Sequence, residues 1–394
     1  MHASSEIFLE GSSGFEMKTV LLNEIPRDEH LATEWNQLVF QMEAPEVCYT
    51  YDWALAVSQA FPGTRTPFLI LVYENSSLVG VGSLRLLDSE RKACFLAEDT
   101  ADYCDFVSRP ADRARVLEAV FAKLVQSGIS EFVAASILSV SATTQHLAAV
   151  AREYGFSFVE VGKNVSPVLE LKGPSEREQT LQNLKRKKDI SSQAKALAKI
   201  GQMEYSVANC WPMIDTELFW KAYLARTVVT KRNNCYSFES YRALVNSLVE
   251  VLAGKGWFAL ASLNLDGRVI AWGIEFRFLG KWLLYQCAFD PRLDQFGPGN
   301  VLLANVLNEA VNNPSVHAVD LGIGDERYKF RFTNTVRRVL RIVLTNDRLH
   351  YIKLRLRVEA SGLLKRSKTC ENIARKIVLL VKANQRARIK GIQS

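Results

Sequence analysis

The sequence predicts an α/β protein of two similar domains, each a mixed, mostly antiparallel sheet flanked by helices, followed by a basic helical tail. The chain has 394 residues, of which 48% are hydrophobic and 23% charged. This length exceeds that of one typical compact core, and the composition suits a folded protein. Helix and strand patterns also recur in the same order in both halves, which indicates a duplicated domain.

The first half reads as one helix, three strands, a second helix and a buried strand. Apolar periodicity and turn residues define these elements. The predicted elements are a helix near 52–60, strands at 67–74, 78–87 and 92–98, a helix at 113–128 and a strand at 131–138.

The second half repeats this order. Its predicted elements are a helix at 238–253, strands at 257–265, 268–278 and 282–289, a helix at 300–313 and a strand at 317–324. Asp266-Gly267 is a typical two-residue hairpin turn between the first two strands. Phe258 follows Phe68 by 190 residues, and His317 follows Glu131 by 186 residues. These nearly constant offsets support the repeat.

The elements suggest five segments. They are a disordered leader at 1–17, an N-terminal domain at 18–172, a basic linker helix at 173–205, a C-terminal domain at 206–345 and a basic helical tail at 346–394. The linker contains four consecutive basic residues, 185–188. The tail has 13 Lys and Arg against 3 Asp and Glu. Such a tail suits a phosphate-rich partner, although a solvated helical face has the same composition.

Targeting signals are not evident, so we expect a cytoplasmic protein. No apolar run approaches the roughly 18 residues that span a bilayer. The tail could contact the anionic inner membrane, because Ile373, Ile377, Leu380 and Val381 share one helical face among basic residues. A packed C-terminal helix is the alternative. The seven cysteines are scattered and lack metal-ligand spacing, so neither a disulfide framework nor a metal site is expected.

The stretch DPRLDQFGPGN, residues 290–300, is a candidate anion site. It follows a predicted strand and opens a predicted helix, whose first N–H groups are unpaired and whose dipole favours negative charge. Gly297 and Gly299 would let the backbone approach a phosphate, and Arg292 could add a charged contact. A simple chain turn is the alternative interpretation.

Two further clusters contain ionisable side chains near strand ends. The segment 319–332, VDLGIGDERYKFRF, is a candidate for acid/base work or substrate binding, with ion pairing inside the loop as the alternative. The segment 97–106, AEDTADYCDF, could bind an amine or hydroxyl acceptor, or be a solvated loop. The five histidines lie in unrelated contexts, and no nucleophile triad, Walker loop or HExxH motif is present. These absences favour transfer from a carrier over hydrolysis.

These residues resemble the CelD-type acetyltransferases of cellulose and exopolysaccharide biosynthesis, within the GNAT superfamily. The resemblance covers about 18–345 and is most specific over 263–311 and 320–332. Asp320, Gly324, Tyr328 and Lys329 match the pattern D-[FL]-x-x-G-x-x-x-Y-K. Asp102, Tyr103 and Asp105 match a D-Y-x-D element, and as members of the acidic segment 97–106 they are the expected substrate residues.

The resemblance implies a GNAT fold in each domain and transfer from acetyl-CoA or another acyl-CoA to an amine or hydroxyl. The family's diphosphate loop reads R/Q-x-x-G-x-G/A. Gly297 and Gly299 match its small positions, whereas Asp294 stands at its first position and Gln295 is shifted by one. The expected donor-binding residues are Arg292, Gln295, Gly297, Gly299 and Asn300.

Four catalytic roles follow as hypotheses. Asp320 or Asp325 is the expected base, with Glu275 on the central hairpin as the reserve. Tyr328 is expected to protonate the leaving thiolate or to position the substrate. Lys329 is expected to contact the acceptor or a phosphate.

The predicted function is therefore acyl transfer to a small molecule, sugar, glycan precursor or cell-envelope metabolite. The tandem arrangement also resembles Fem-type transferases, whose donor is aminoacyl-tRNA, and nucleic acid is not expected as a partner unless the donor is tRNA-linked. The third hypothesis is a non-catalytic scaffold subunit of exopolysaccharide assembly. If the protein bound no coenzyme A species, this scaffold hypothesis would be favoured.

Overall fold

The computed structural model describes residues 6–10, 16–87, 91–211, 213–230 and 239–366. The apolar face predicted at 373–381 lies outside the described residues. Most of the predicted leader, residues 1–17, also lies outside the described residues. Within the leader, however, strand β1 (Glu6–Glu10) pairs antiparallel with β2 (Glu16–Leu22). The described part of this segment is therefore a strand.

The first half follows the predicted order of elements. After β2 it contains α1 (Glu29–Phe40), α2 (Tyr51–Ala60), β3 (Pro67–Glu74), β4 (Ser77–Leu86), β5 (Lys92–Phe95), β6 (Val107–Ser108), α3 (Arg113–Gln126), β7 (Glu131–Leu138), α4 (Ala142–Glu153) and β8 (Ser157–Glu170). Local chemistry sets several boundaries. The side chains of Asp28 and Thr50 accept backbone N–H groups at the starts of α1 and α2.

The second half begins with two helices where the sequence predicts one. Its elements are α5 (Pro174–Lys185), α6 (Lys188–Ile200), β9 (Met203–Ala208), α7 (Met213–Thr230), α8 (Glu239–Ala253), β10 (Phe258–Leu265), β11 (Arg268–Phe278), β12 (Lys281–Phe289), α9 (Pro298–Asn312), β13 (Ala318–Asp320), β14 (Thr335–Thr345) and α10 (Arg348–Arg366). The predicted turn at Asp266-Gly267 is confirmed, with φ of 50° and 76°.

The break between α5 and α6 lets the two helices contact opposite ends of α9. Arg177 of α5 donates to the carbonyls of Val311 at 2.8 Å and Asn313 at 3.0 Å, which caps the C-terminal end of α9. Gln193 of α6 lies at the N-terminal end of α9, against Gly297. One continuous helix would not follow this path.

The described strands form one mixed sheet across both halves. Its order is β1-β2-β3-β4-β5-β7-β14-β8-β13-β12-β11-β10-β9, and β6 pairs with β4. The last strand of each half crosses into the other: β14 pairs with β7 of the first half, whereas β8 pairs with β13 of the second. The sequence predicts the strands of each half but not this exchange, which makes the two sheets continuous.

A buried aromatic cluster also joins the halves. Trp53 of α2 packs edge-on against Phe276 of β11 and Tyr285 of β12, with ring centroids 5.3 and 5.6 Å apart. Helices α2 and α8 contribute to the same core. The halves are therefore held together by apolar packing as well as by strand pairing.

Candidate active site

A cavity of about 640 Å³ lies between the halves. Residues 99–102 of the first half line one side. Strands β11 and β12, helix α9 and the loop after β13 line the rest, with one residue from α6 and one from α7. Its volume is in the range of small-molecule sites.

The cavity exists because β12 and β13 diverge. They pair in parallel only over Lys281–Leu283, and β12 then continues to Phe289 while β13 ends at Asp320. At the divergence β12 contains a bulge, because Ile274 pairs with Gln286 and Glu275 with Leu284. Tyr285 is thus the extra residue on β12. Bulges interrupt the hydrogen-bond ladder and re-aim side chains, and they are frequent beside active sites.

Glu275 lies opposite this bulge and lines the cavity. Its side chain is fully buried. One carboxylate oxygen accepts from Arg277 through Nε at 3.0 Å and Nη2 at 2.9 Å. The other oxygen, Oε1, is buried without a hydrogen-bond partner among the described residues. Burial raises the pKa of Glu275 to about 7, and the Arg277 charge only partly opposes this.

Arg277 is itself held in place from three sides. It pairs with Glu309 of α9 at 2.9 Å, and its guanidinium lies 3.6 Å from the centroid of the Trp282 ring. The Tyr205 hydroxyl donates to Glu309. This network fixes the bonded oxygen of Glu275 and therefore the direction of the other oxygen.

Asp102 of the first half is a second carboxyl group at the cavity. Burial raises the pKa of Asp102 to about 7, the nearby Asp320 charge adds to the shift, and Lys329 opposes it. The backbone N–H of Ile323 donates to Asp102. The predicted substrate residue Asp102 thus reaches the second half.

The loop after β13 is held by Lys329. Its ammonium is buried and donates to the carbonyls of Gly322 and Ile323, both at 3.0 Å, and pairs with Glu326 at 3.1 Å. Lys329 and Tyr328 line the cavity, as the sequence analysis expects of catalytic residues. Asp325, a predicted base, is exposed and does not line it.

Asp320 is placed differently from the expected base. It is fully buried, does not line the cavity and accepts from the hydroxyls of Tyr103 at 2.6 Å and Ser166 at 2.7 Å. It also accepts from the Gly322 N–H at 2.9 Å and Arg337 at 3.2 Å. With its oxygens so occupied, the geometry favours a supporting role for Asp320 and for Tyr103.

Asp105 also lies away from the cavity. It accepts from Arg113, Ser141 and Thr143 in a buried network, and burial raises its pKa. Arg113 begins α3, the place in the first half that corresponds to the glycine loop before α9. The space beside Asp105 is about 20 Å³, room for a single water molecule. The first half is therefore closed where the second half is open.

The glycine loop lies at the start of α9 and lines part of the cavity. Gly297 adopts a left-handed conformation with φ of 56°. Gly297, Gly299 and Asn300 line the cavity, as predicted, and so does Asp294. The dipole of α9 favours an anion at this helix start. Pro298 has no N–H, and the N–H groups of Gly297 and Asn300 donate to the carbonyls of Asp294 and Gly297, so Gly299 is the loop residue whose N–H faces an anion.

Arg292 and Gln295 are not part of this loop's cavity surface. Arg292 donates to Asp290 through Nε at 3.0 Å and Nη2 at 2.7 Å, so its charge is already paired. Gln295 is exposed. Neither residue lines the cavity, although both are expected from the sequence to bind the donor.

Gln193 of α6 and Tyr223 of α7 also line the cavity, although neither is predicted from the sequence. Neither belongs to a recognisable motif, and only the packing of α6 and α7 brings them to the site. Among the described residues, no group of three or more His, Cys, Asp or Glu side chains is arranged to hold a metal ion.

Residues 185–330 match the family described as Acetyltransferase (GNAT) domain. Curated proteins give no significant match. Among solved structures, the chain is similar to FemX, with a TM-score of 0.55 at 10% identity over 78% of this chain and 95% of that chain.

L-PGS from Bacillus licheniformis is similar at a TM-score of 0.53 and 11% identity, over 86% of this chain and 98% of that chain. A tandem GNAT protein from the clavulanic acid biosynthesis pathway has a TM-score of 0.47 at 13% identity, over 84% and 99%. At such identities the structural likeness concerns the fold alone. The predicted α/β class, with mixed sheets flanked by helices, is confirmed. The match to a GNAT-type acetyltransferase domain covers residues 185–330, which lie in the second half.

Proposed function

We propose that this protein transfers an acyl group from an acyl-CoA to an acceptor bound in the cavity between the halves. The second half would bind the donor, and the first half would contribute Asp102 to the acceptor side. Glu275 carries the proposal, because it combines a buried oxygen without a partner and a pKa of about 7 at the edge of the strand divergence. A carboxylate with such a pKa is suited to general base catalysis near neutral pH.

The reaction requires a small set of groups. Glu275 would take a proton from the acceptor amine or hydroxyl as the new C–N or C–O bond forms and the C–S bond breaks. Backbone N–H groups at the Tyr285 bulge would polarise the thioester carbonyl. Tyr328 would protonate the leaving thiolate. The acyl-CoA supplies the activated carbonyl, and the glycine loop would hold its diphosphate.

The acceptor class follows from the cavity lining and from the family resemblance. Among the described residues that line the cavity, carboxyl groups outnumber the single ammonium of Lys329; they belong to Asp99, Asp102, Glu275, Asp294 and Glu326. This balance favours an amine as the reacting group. The resemblance to CelD-type enzymes favours a sugar, polysaccharide precursor or cell-envelope metabolite as its carrier.

Aminoacyl transfer is the second candidate. Asp294 places a negative charge at the loop position where the acyl-CoA pattern has Arg or Gln, which weakens the case for a diphosphate. The fold likeness to FemX also favours this alternative. A donor other than acyl-CoA would use the same Glu275 chemistry.

Calorimetric titration with acetyl-CoA and longer acyl-CoAs tests the donor. Saturable binding that Gly297→Glu abolishes in a folded variant supports the proposal, because a side chain there would occupy the loop. Thiol release with amine and hydroxyl acceptors then tests catalysis, and Glu275→Gln should bind the donor but not release thiol. Absence of acyl-CoA binding by the native protein would contradict an acyl-CoA donor and favour aminoacyl transfer or a scaffold role.

We also propose that α10 contacts an anionic membrane surface. Leu349, Ile352 and Leu356 lie on one face of α10 and are 70%, 45% and 61% exposed. Arg348 and Arg355 flank this apolar face on one side and Lys353 on the other. Within the described residues, every helix is too short or too polar to span a bilayer.

A further inference from the structure

We propose that Gln193 of α6 is a donor-binding residue that supplies the side-chain contact to the acyl-CoA diphosphate. The inference rests on the proposed function. It assigns to α6 a side-chain contact that adds to those of the glycine loop.

Gln193 lies directly on the glycine loop. A Cβ atom placed on Gly297 would be 2.5 Å from Cδ and Nε2 of Gln193, so the amide occupies the space that this glycine leaves. The Asn300 amide donates to Oε1 of Gln193 at 3.4 Å. This bond sets the orientation of the amide, and Nε2 is then the end that offers N–H donors.

The loop itself has no free cationic side chain, and its one amide donor at the cavity, Asn300, already donates to Gln193. Asp294 is negatively charged, and the guanidinium of Arg292 is engaged by Asp290 outside the cavity.

Pro298 has no N–H, and the Gly297 and Asn300 N–H groups donate within the loop. A diphosphate at the start of α9 would therefore meet the Gly299 N–H and the side-chain amides of Asn300 and Gln193. Of these, Gln193 belongs to a separate helix, so the donor would bind between α6 and α9.

Helix α6 is fixed in position, which favours a binding role over a chance contact. Ile190 and Leu197 are buried against α9 and its neighbours. Asp189 at the start of α6 pairs with Arg331 of the loop after β13. Because the helix is anchored at these points, the amide of Gln193 is held near the loop before the donor arrives, and little ordering entropy is lost on binding.

Gln193→Ala tests the inference by calorimetry, with acetyl-CoA and acetyl-pantetheine as ligands. Both ligands contain the thioester, but acetyl-pantetheine lacks the phosphates. We expect the variant to weaken acetyl-CoA binding by roughly tenfold, the effect of losing one hydrogen bond to a charged group, and to leave acetyl-pantetheine binding unchanged. Gln182→Ala is the matched control, because Gln182 is exposed on α5 and bonds Glu178.

The outcomes separate the inference from the proposed function. Unchanged or tighter acetyl-CoA binding by a folded Gln193→Ala protein would overturn the inference, and tighter binding would identify Gln193 as an obstruction. An equal loss for both ligands would overturn it as well, since the diphosphate would not be the contact. Failure of the native protein to bind acetyl-CoA would instead overturn the acyl-CoA donor.

Discussion

The Tyr103 hydroxyl donates to Asp320 Oδ2 at 2.6 Å, and this bond joins the two halves of the molecule. Both side chains are fully buried. Arg337 of the exchanged strand β14 donates to the same oxygen at 3.2 Å and lies over the Tyr103 ring, 4.9 Å from its centroid. The two motifs that the sequence analysis singles out in separate halves therefore meet, and the contact holds the walls of the cavity.

Tyr103→Phe should destabilise the protein without abolishing transfer. The substitution removes a buried donor to a carboxylate, which costs about 1–3 kcal/mol of unfolding free energy. Urea unfolding measures the loss, and thiol release measures the activity. Tyr154→Phe is the control, because Tyr154 is only half-buried. A loss of activity at unchanged stability would contradict the supporting role and return Tyr103 to the substrate.

Glu275→Gln should remove the pH dependence of transfer near neutrality. Glu275 acts as a base only when ionised, so in the native protein kcat/KM should rise with pH through about 7 and then level off. The variant should lose at least about 100-fold in kcat, and its kcat/KM should not rise with pH near 7. Its affinity for acyl-CoA should be unchanged. If an active variant still showed a rise of kcat/KM near pH 7, the general base would be another group. Asp102 would be the first residue to test.

Glu275 should also make stability depend on pH. Its pKa in the folded protein, about 7, lies above the ordinary value of 4.5, so the folded state binds the proton more tightly than the unfolded state. Its contribution to stability is therefore present below pH 4.5 and is lost as pH rises to about 7. Glu275→Gln should gain up to about 3 kcal/mol over the native protein between pH 5 and 8 in urea unfolding. A constant difference would contradict the shifted pKa.

Asp102→Asn should raise KM for the acceptor and leave donor affinity unchanged. The pKa of Asp102 is about 7, so its carboxyl is charged at pH 8 and mostly neutral at pH 6. The KM effect should therefore be largest at pH 8, roughly tenfold or more, and shrink at pH 6. Asp325→Asn is the matched control on an exposed residue of the loop after β13. Equal KM effects at both pH values would exclude a charge interaction between Asp102 and the acceptor.

Local patterns predict most of the elements because they depend on neighbouring residues. The strand over 268–278 and the Asp266-Gly267 turn follow from alternation and turn chemistry alone. The exchange of β8 and β14 depends on contacts more than 150 residues apart, for which periodicity contains no signal. The break between α5 and α6 likewise reflects packing on α9, since both helices have helix-favouring sequences.

The candidate site was predicted in part for the same reason. Gly297 and Gly299 are recognisable because their spacing has a conformational meaning. Asp320 and Glu275 illustrate the limit. Both are acidic residues on strands, and only the structure distinguishes the one whose oxygens are occupied from the one with an oxygen left without a partner. Sequence spacing cannot make that distinction.

The exposed face of α10 should bind anionic vesicles. Leu349 and Ile352 would insert at the surface while Arg348 and Lys353 meet lipid phosphates. The protein should therefore sediment with vesicles of phosphatidylglycerol and phosphatidylcholine but not with phosphatidylcholine alone. Binding should weaken as ionic strength rises, because salt screens exposed charges.

The combined variant Leu349→Glu and Ile352→Glu isolates this face. Both residues are exposed, so the change should cost little stability while it removes apolar contact and adds charge repulsion. Val140→Glu is the matched control, because Val140 is an equally exposed apolar residue, 64% accessible, outside α10. Loss of sedimentation in the α10 variant alone would support the membrane contact. Retention of full binding in both variants would show that this face of α10 does not contribute, because two acidic side chains in its centre are incompatible with insertion beside anionic headgroups.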